Sequence, residues 1–183
     1  MKVSFFIDGQ NLFHSLKTLD RTLKEEDINW DTLFSSCLEE DEEIGVAYWF
    51  RPKDIKEQVR LTQDKLYTQL IPEKYPHRTT ELLPNVRRLP KEVFRVMKLE
   101  YGDRLDWWSN EKRRFWNVQQ KYKKLEQEYS FIQLYTSGVL KMDTYKKQPV
   151  GEKGVDVAIA VKIIESVLAN DCDRVVLVRA SLQ

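Results

Sequence analysis

The sequence predicts an α/β fold, a mostly parallel sheet flanked by helices and carrying a helical-hairpin insert. Three observations predict it. Short apolar runs at residues 3–7, 44–50 and 174–179 suit strands covered on both faces. Helical patterns separate them, the alternation that builds right-handed crossovers onto a parallel sheet. Two further helical patterns fill residues 84–129, where no strand run interrupts them.

In order, Val3, Phe5, Phe6 and Ile7 form the first strand, which stops at Asp8-Gly9-Gln10-Asn11 before the helical pattern Leu12, Phe13, Leu16. A strand turning sharply into a helix places its last residue, Asp8, at the carboxyl edge of the sheet, where α/β ligand sites form. Gly9 allows close backbone approach to a ligand. Asn11 can cap the helix or hydrogen-bond whatever Asp8 holds. Trp30, Leu33, Phe34 and Leu38 mark a helix, and residues 39–43 an acidic loop. The second strand, residues 44–50, ends at Arg51-Pro52. Ile55, Val59, Leu66 and Leu70 mark one face of a helix stopping before Pro72. Four prolines make residues 72–90 an irregular connection.

The insert, at about 84–129 within a single domain 1–183, starts with Pro90 in a first turn and the stripe Val93, Phe94, Met97, Tyr101. Gly102 is read as that helix's end. Phe115, Val118, Tyr122, Leu125 and Tyr129 have coiled-coil spacing, so the two helices are expected to form an antiparallel hairpin. Residues 131–135 are a strand, 138–142 another strand or its hairpin partner, and 146–154 a polar loop. Residues 155–168 are apolar nearly all round, which predicts a largely buried helix.

The net charge of +1 gives no global pull toward nucleic acid or membrane. Residues 1–50 nevertheless carry four basic against eleven acidic side chains, and residues 84–128 twelve against seven. The basic half is the better candidate for a polyanion contact. Cys37 and Cys172 lack metal-type spacing; two free thiols are the default, with a disulfide left open. No apolar run approaches a membrane span, and the N-terminus is too short for a signal peptide. The expectation is a soluble, cytoplasmic protein.

Asp156 falls in the first turn of the helix from Val155, on the stripe Asp156, Ala160, Ile163, Val167. It is either a first-turn acid favoured by the helix dipole or the partner of Asp8, because crossover helices begin on the side where strands end. Two carboxylates brought together repel unless a cation or proton lies between them, and a hard divalent ion such as Mg²⁺ is the usual solution.

Phe6-Ile7-Asp8-Gly9-Gln10-Asn11, followed much later by Lys153-Gly154-Val155-Asp156-Val157-Ala158-Ile159-Ala160 and the strand Val175–Val178, resembles the NYN family, a branch of the PIN-like nucleases with a Rossmann-like core. The resemblance covers the core strands and the helix from Val155. It implies a Mg²⁺- or Mn²⁺-dependent endoribonuclease in which Asp8 and Asp156 bind metal, Asn11 positions, and a metal-activated water cleaves a phosphodiester. Two departures weaken that expectation. Ser181 and Gln183 stand where the family carries acids, and Lys162 where many members do. The further strand and helix that complete the family's sheet have no counterpart after Val178. Weak or absent catalysis is expected, together with exposed apolar surface and a homodimer as its remedy.

Residues 107–116 interleave Trp107, Trp108 and Trp116 with Lys112, Arg113 and Arg114. They can stack single-stranded RNA bases and meet phosphates, or form the tip of the hairpin with a solvated basic face; the structural reading is favoured. Lys153 can approach a phosphate. The alternative function is a catalytically degenerate RNA-binding or scaffolding module on the same fold.

Overall fold

The computed structural model describes residues 1–23 and 27–178. In chain order its elements are β1 (Lys2–Asp8), α1 (Gly9–Leu19), α2 (Trp30–Ser35), β2 (Glu43–Arg51), β3 (Asp54–Glu57), α3 (Gln63–Lys74), α4 (Thr79–Leu82), α5 (Lys91–Glu128), β4 (Ile132–Thr136), β5 (Val139–Asp143), β6 (Gln148–Lys153), α6 (Val155–Leu168) and β7 (Arg174–Val178), with short 3₁₀ turns on either side of α4. The described residues divide into two compact units. The first takes its residues from Met1–Asp54, Asn117–Leu140 and Glu152–Gln183, the second from Ile55–Trp116 and Lys141–Gly151.

The first unit is an α/β layer built on a four-stranded sheet of order β4-β2-β1-β7, parallel at every pairing. Side chains of β1 alternate between its faces, as the two-residue period of a strand requires. Val3, Phe5 and Ile7 pack with Trp30 and Phe34 of α2, Trp49 of β2 and Tyr122 of α5. Phe6 turns the other way, to Tyr48, Phe50 and Val155 and Ile159 of α6. Phe5, Phe6 and Ile7 are wholly buried, each contributing about 1.5–3 kcal/mol by leaving water. From β1 the chain steps through β2 to β4, then returns to the opposite flank of β1 with β7. The strand order therefore reverses at β1, the position where α/β sheets open a crevice at their carboxyl ends.

The second unit holds α3, α4 and the first part of α5 around Leu66, Tyr67, Ile71, Leu82, Val93 and Met97. Arg104, 8% exposed, ties α5 to the segment after β5, donating from Nε to the Tyr145 carbonyl at 3.0 Å. A second, three-stranded sheet has the order β3-β5-β6.

Five expectations are corrected. The helical hairpin is a single 38-residue helix, α5, running through Gly102. A glycine inside a helix costs only about 1 kcal/mol relative to alanine, and the packing of Val93 and Met97 prevails. The helix expected from Ile55 to Leu70 is divided: residues 54–57 are strand β3, and α3 begins after Thr62, whose side chain caps it at Lys65. Pro72 lies inside the last turn of α3, where its missing N–H removes one intrahelical bond without ending the helix. The polar loop at 146–154 contains strand β6, recruited by pairing with β5, since strand formation follows neighbours more than composition. Finally, α6 is not largely buried: Val157 is 67% exposed, Ile164 58% and Leu168 78%.

Among the described residues no helix is long and apolar enough to cross a membrane. Cys37 and Cys172 are free thiols. Ser181 and Gln183, singled out above, lie outside the described residues.

Candidate acidic site at the carboxyl edge

Asp8 is both the last residue of β1 and the cap of α1. Its Oδ1 accepts the Asn11 backbone N–H at 3.0 Å, and its Oδ2 accepts from the Asn11 side-chain amide at 2.6 Å. Asn11 thus holds the carboxylate through two donors. Asp8 is only 4% exposed, and the alternation along β1 puts its side chain on the face of Phe6, toward α6. Gly9 is required by packing: a Cβ there would collide with the Trp49 indole and come within 2.9 Å of Arg51 Cδ.

The loop into α6 is fixed by two glycines in the left-handed region, Gly138 (φ +73°) and Gly154 (φ +91°). A Cβ on Gly138 would strike the Lys153 carbonyl, and one on Gly154 would lie 3.3 Å from Gly138 Cα. This contact fixes the backbone on which Glu152, Lys153 and Asp156 are carried. Asp156 is in the first turn of α6, where the helix dipole favours a negative charge.

Glu152 is the residue that sequence reasoning missed. Burial pushes its carboxyl up to about 7; Arg51 opposes the shift, while Asp8 and Asp156 add to it. Its Oε1 is buried with no hydrogen-bond partner. The three carboxylates therefore share one electrostatic field at the carboxyl edge. A signal was present in the sequence, since Glu152 is the one acid in the basic stretch 146–154. Arg51, at the end of β2 and 7% exposed, is the local cation. Its guanidinium lies 4.8 Å from the Tyr122 ring centroid, and its Nε has no partner.

Hard carboxylate oxygens, one of them buried and unsatisfied, match the donor chemistry of Mg²⁺ or Mn²⁺. They do not form a finished cage: among the described residues no three acidic, His or Cys side chains gather as a group able to hold a metal ion. Lys162 lies 4.9 Å from the Tyr48 ring centroid and pairs with Glu165 at 3.6 Å.

The remaining candidates are Lys153 and a group of residues on α5. Lys153 is exposed beside it, just before Gly154. Lys112, Arg113, Arg114 and Trp116 belong to the second unit, along the middle of α5 rather than at a hairpin tip. Lys112 lies over the Trp108 ring at 5.3 Å, Arg113 donates to Asn110, and Arg114 pairs with Glu111 at 2.6 Å. Trp116 is half exposed, its ring edge-on to Phe115.

Compared with known protein families, curated proteins and solved structures, the chain has no match.

Proposed function

We propose that this chain is an NYN/PIN-like, divalent-metal-dependent ribonuclease acting on single-stranded RNA, with Asp8 and Asp156 as metal ligands and Asn11 holding Asp8. The observation that carries this reading is the shared field of Asp8, Glu152 and Asp156 at the point where the strand order reverses. Several carboxylates at such an edge are best neutralised by a hard cation. When bound, Mg²⁺ or Mn²⁺ would supply an acidified water and charge neutralisation at the phosphate. The chain's own residues supply the rest. Asn11 fixes the Asp8 carboxylate, Gly154 sets the entry of α6, Arg51 offers positive charge near a phosphate, and Lys153 extends that charge outward. Glu152, raised toward neutral pH, can take up or release a proton beside the reacting group.

The expected outcome is slow, Mn²⁺-dependent cleavage of a single-stranded oligoribonucleotide that Asp8→Asn and Asp156→Asn abolish. Turnover that survives Asp8→Asn would refute the assignment. A second reading, a non-catalytic RNA-binding module, is favoured by the lack of a finished cage among the described residues and by the basic, aromatic stretch of α5. It predicts salt-dependent binding without cleavage, reduced when Lys112, Arg113 and Arg114 are changed to alanine.

A second copy of the chain belongs to the same proposal. Val157, Val161, Ile164 and Leu168 leave an apolar stripe exposed along α6, and Leu177 of β7 is half exposed. Such surfaces mark association sites.

A further inference from the structure

From Lys91 to Trp116, α5 belongs to the second unit, all of whose residues are described. At about 100° of turn per residue, five of its side chains fall into one narrow row: Phe94, Lys98, Leu105, Lys112 and Trp116. The buried stripe of the same stretch is a different one, made by Val93, Met97, Arg104 and Phe115. All five residues of the row are exposed. Its large apolar members recur every eleven residues, and Phe94 is 46% and Leu105 40% exposed.

Arg95 and Arg113 flank the row on one side, so this face of the helix carries four cations. None of the five acids of the stretch falls on it. Glu92 pairs with Arg78 at 3.6 Å, Glu100 with Lys74 at 2.6 Å, Glu111 with Arg114 at 2.6 Å, and Asp103 with Lys147; Asp106 borders the flank. This composition selects an occupant. A second copy laid antiparallel about Leu105 would set Lys98 against Lys112, and like charges repel. A lipid surface calls for a continuous apolar face with the cations opposite it, whereas here lysines separate the apolar residues. A peptide held by its main chain needs a sheet edge or a groove, and the middle of a helix has no backbone groups to spare.

We infer that this face of α5 holds a single-stranded nucleic acid along the helix, with bases against Phe94 and Trp116 and phosphates at Lys98, Lys112 and the flanking arginines. The inference rests on the reading of the chain as a protein that acts on RNA, and it names the surface that holds the strand. An unpaired strand offers flat apolar bases and a regular negative charge, the two features that the row complements. At about 1.5 Å per residue the row is about 33 Å long, enough for several nucleotides. The Lys112 ammonium lies over the Trp108 ring at 5.3 Å and Arg113 donates to Asn110; neither contact cancels the charge. Arg114 lies off the face with Glu111, so the basic triplet of the sequence is divided. Stacking and charge of this kind are tolerant of sequence.

Fluorescence anisotropy of the full chain with a fluorescein-labelled decauridylate, in EDTA so that the strand stays whole, tests this. Saturable binding is expected, weakened about tenfold by Phe94→Ala/Trp116→Ala. Lys98→Ala/Lys112→Ala should lower the slope of log affinity against log salt by about 1.4, two phosphates at about 0.7 each. Lys65→Ala/Arg88→Ala removes the same charge from exposed positions of the same unit off this face, and should change affinity less than about twofold. Circular dichroism confirms that each variant is folded. The strand annealed to decaadenylate, its bases no longer open to stacking, should bind more weakly. Binding that both face variants leave unchanged, or that the Lys65/Arg88 pair weakens as much, would overturn this inference and leave the RNA reading standing. No binding of the strand at any salt concentration would overturn both. Tighter binding of phosphatidylserine vesicles or of an acidic, aromatic-containing peptide, sensitive to the same face variants, would also overturn it.

Discussion

Glu152 carries its charge with difficulty, and that is measurable. Its carboxyl titrates near 7 in the folded chain, against 4.5 as the ordinary value. A carboxyl whose folded value is raised stabilises the fold fully below the unfolded value. That stability is lost as pH rises through the folded one. The metal-free protein should therefore become less stable between about pH 4.5 and pH 7. Glu152→Gln should flatten this dependence and stabilise at pH 8 by about 1–2 kcal/mol, after allowance for solvent screening, as read by urea unfolding at several pH values. An unchanged pH profile would mean that Glu152 does not feel its neighbours. Gly9 gives a second test at this scale. Gly9→Ala should destabilise by about 1–3 kcal/mol through overpacking, because the new methyl meets the Trp49 indole; thermal melting at neutral pH reads the loss.

At the scale of elements, α5 shows how much of the fold the sequence discloses. Its apolar stripes were legible, and so were β1 and β2 as nearly unbroken buried runs and β4 and β7 as short apolar-rich runs at the sheet's edges. Continuity through Gly102 was not legible, because a single glycine is a weak stop and tertiary packing decides the outcome. The structure leaves open space around that glycine, where a Cβ would meet no atom within 4 Å. Gly102→Ala is thus expected to stabilise the protein by about 0.5–1 kcal/mol, measured by thermal or urea unfolding. A loss of stability would argue for a break in the helix there. β3 and β6 escaped detection for another reason: short polar strands owe their state to their hydrogen-bonded neighbours. In the candidate site, Asp8, Asn11 and Asp156 stood at recognisable punctuation between strand and helix. Glu152 did not, because its importance lies in burial and in the charge of Asp8, 144 residues away, which only the folded chain brings into its field.

At the scale of the molecule, the exposed stripe of α6 is the feature that most departs from a closed α/β layer. Uniform apolarity says that a helix is buried somewhere without saying against what. Here the inward residues Val155 and Ile159 meet the sheet, while Val157, Val161, Ile164 and Leu168 face outward. Light scattering after size exclusion should show concentration-dependent dimers, and Val161→Lys/Ile164→Lys should return the chain to monomer without loss of secondary structure. A monomer at all concentrations would remove the second copy from the proposal. The acidic edge does not depend on that outcome, since Asp8, Glu152 and Asp156 all belong to one unit of one chain. Its central claim, that this edge holds a hard divalent cation, is tested most directly by titrating the protein with Mn²⁺ and following the free ion by electron paramagnetic resonance. The account predicts one saturable site per chain, tighter at pH 8 than at pH 6 because Glu152 is then ionised, and lost in Asp8→Asn. Mn²⁺ that does not saturate, or that binds Asp8→Asn as well as the wild type, would contradict it.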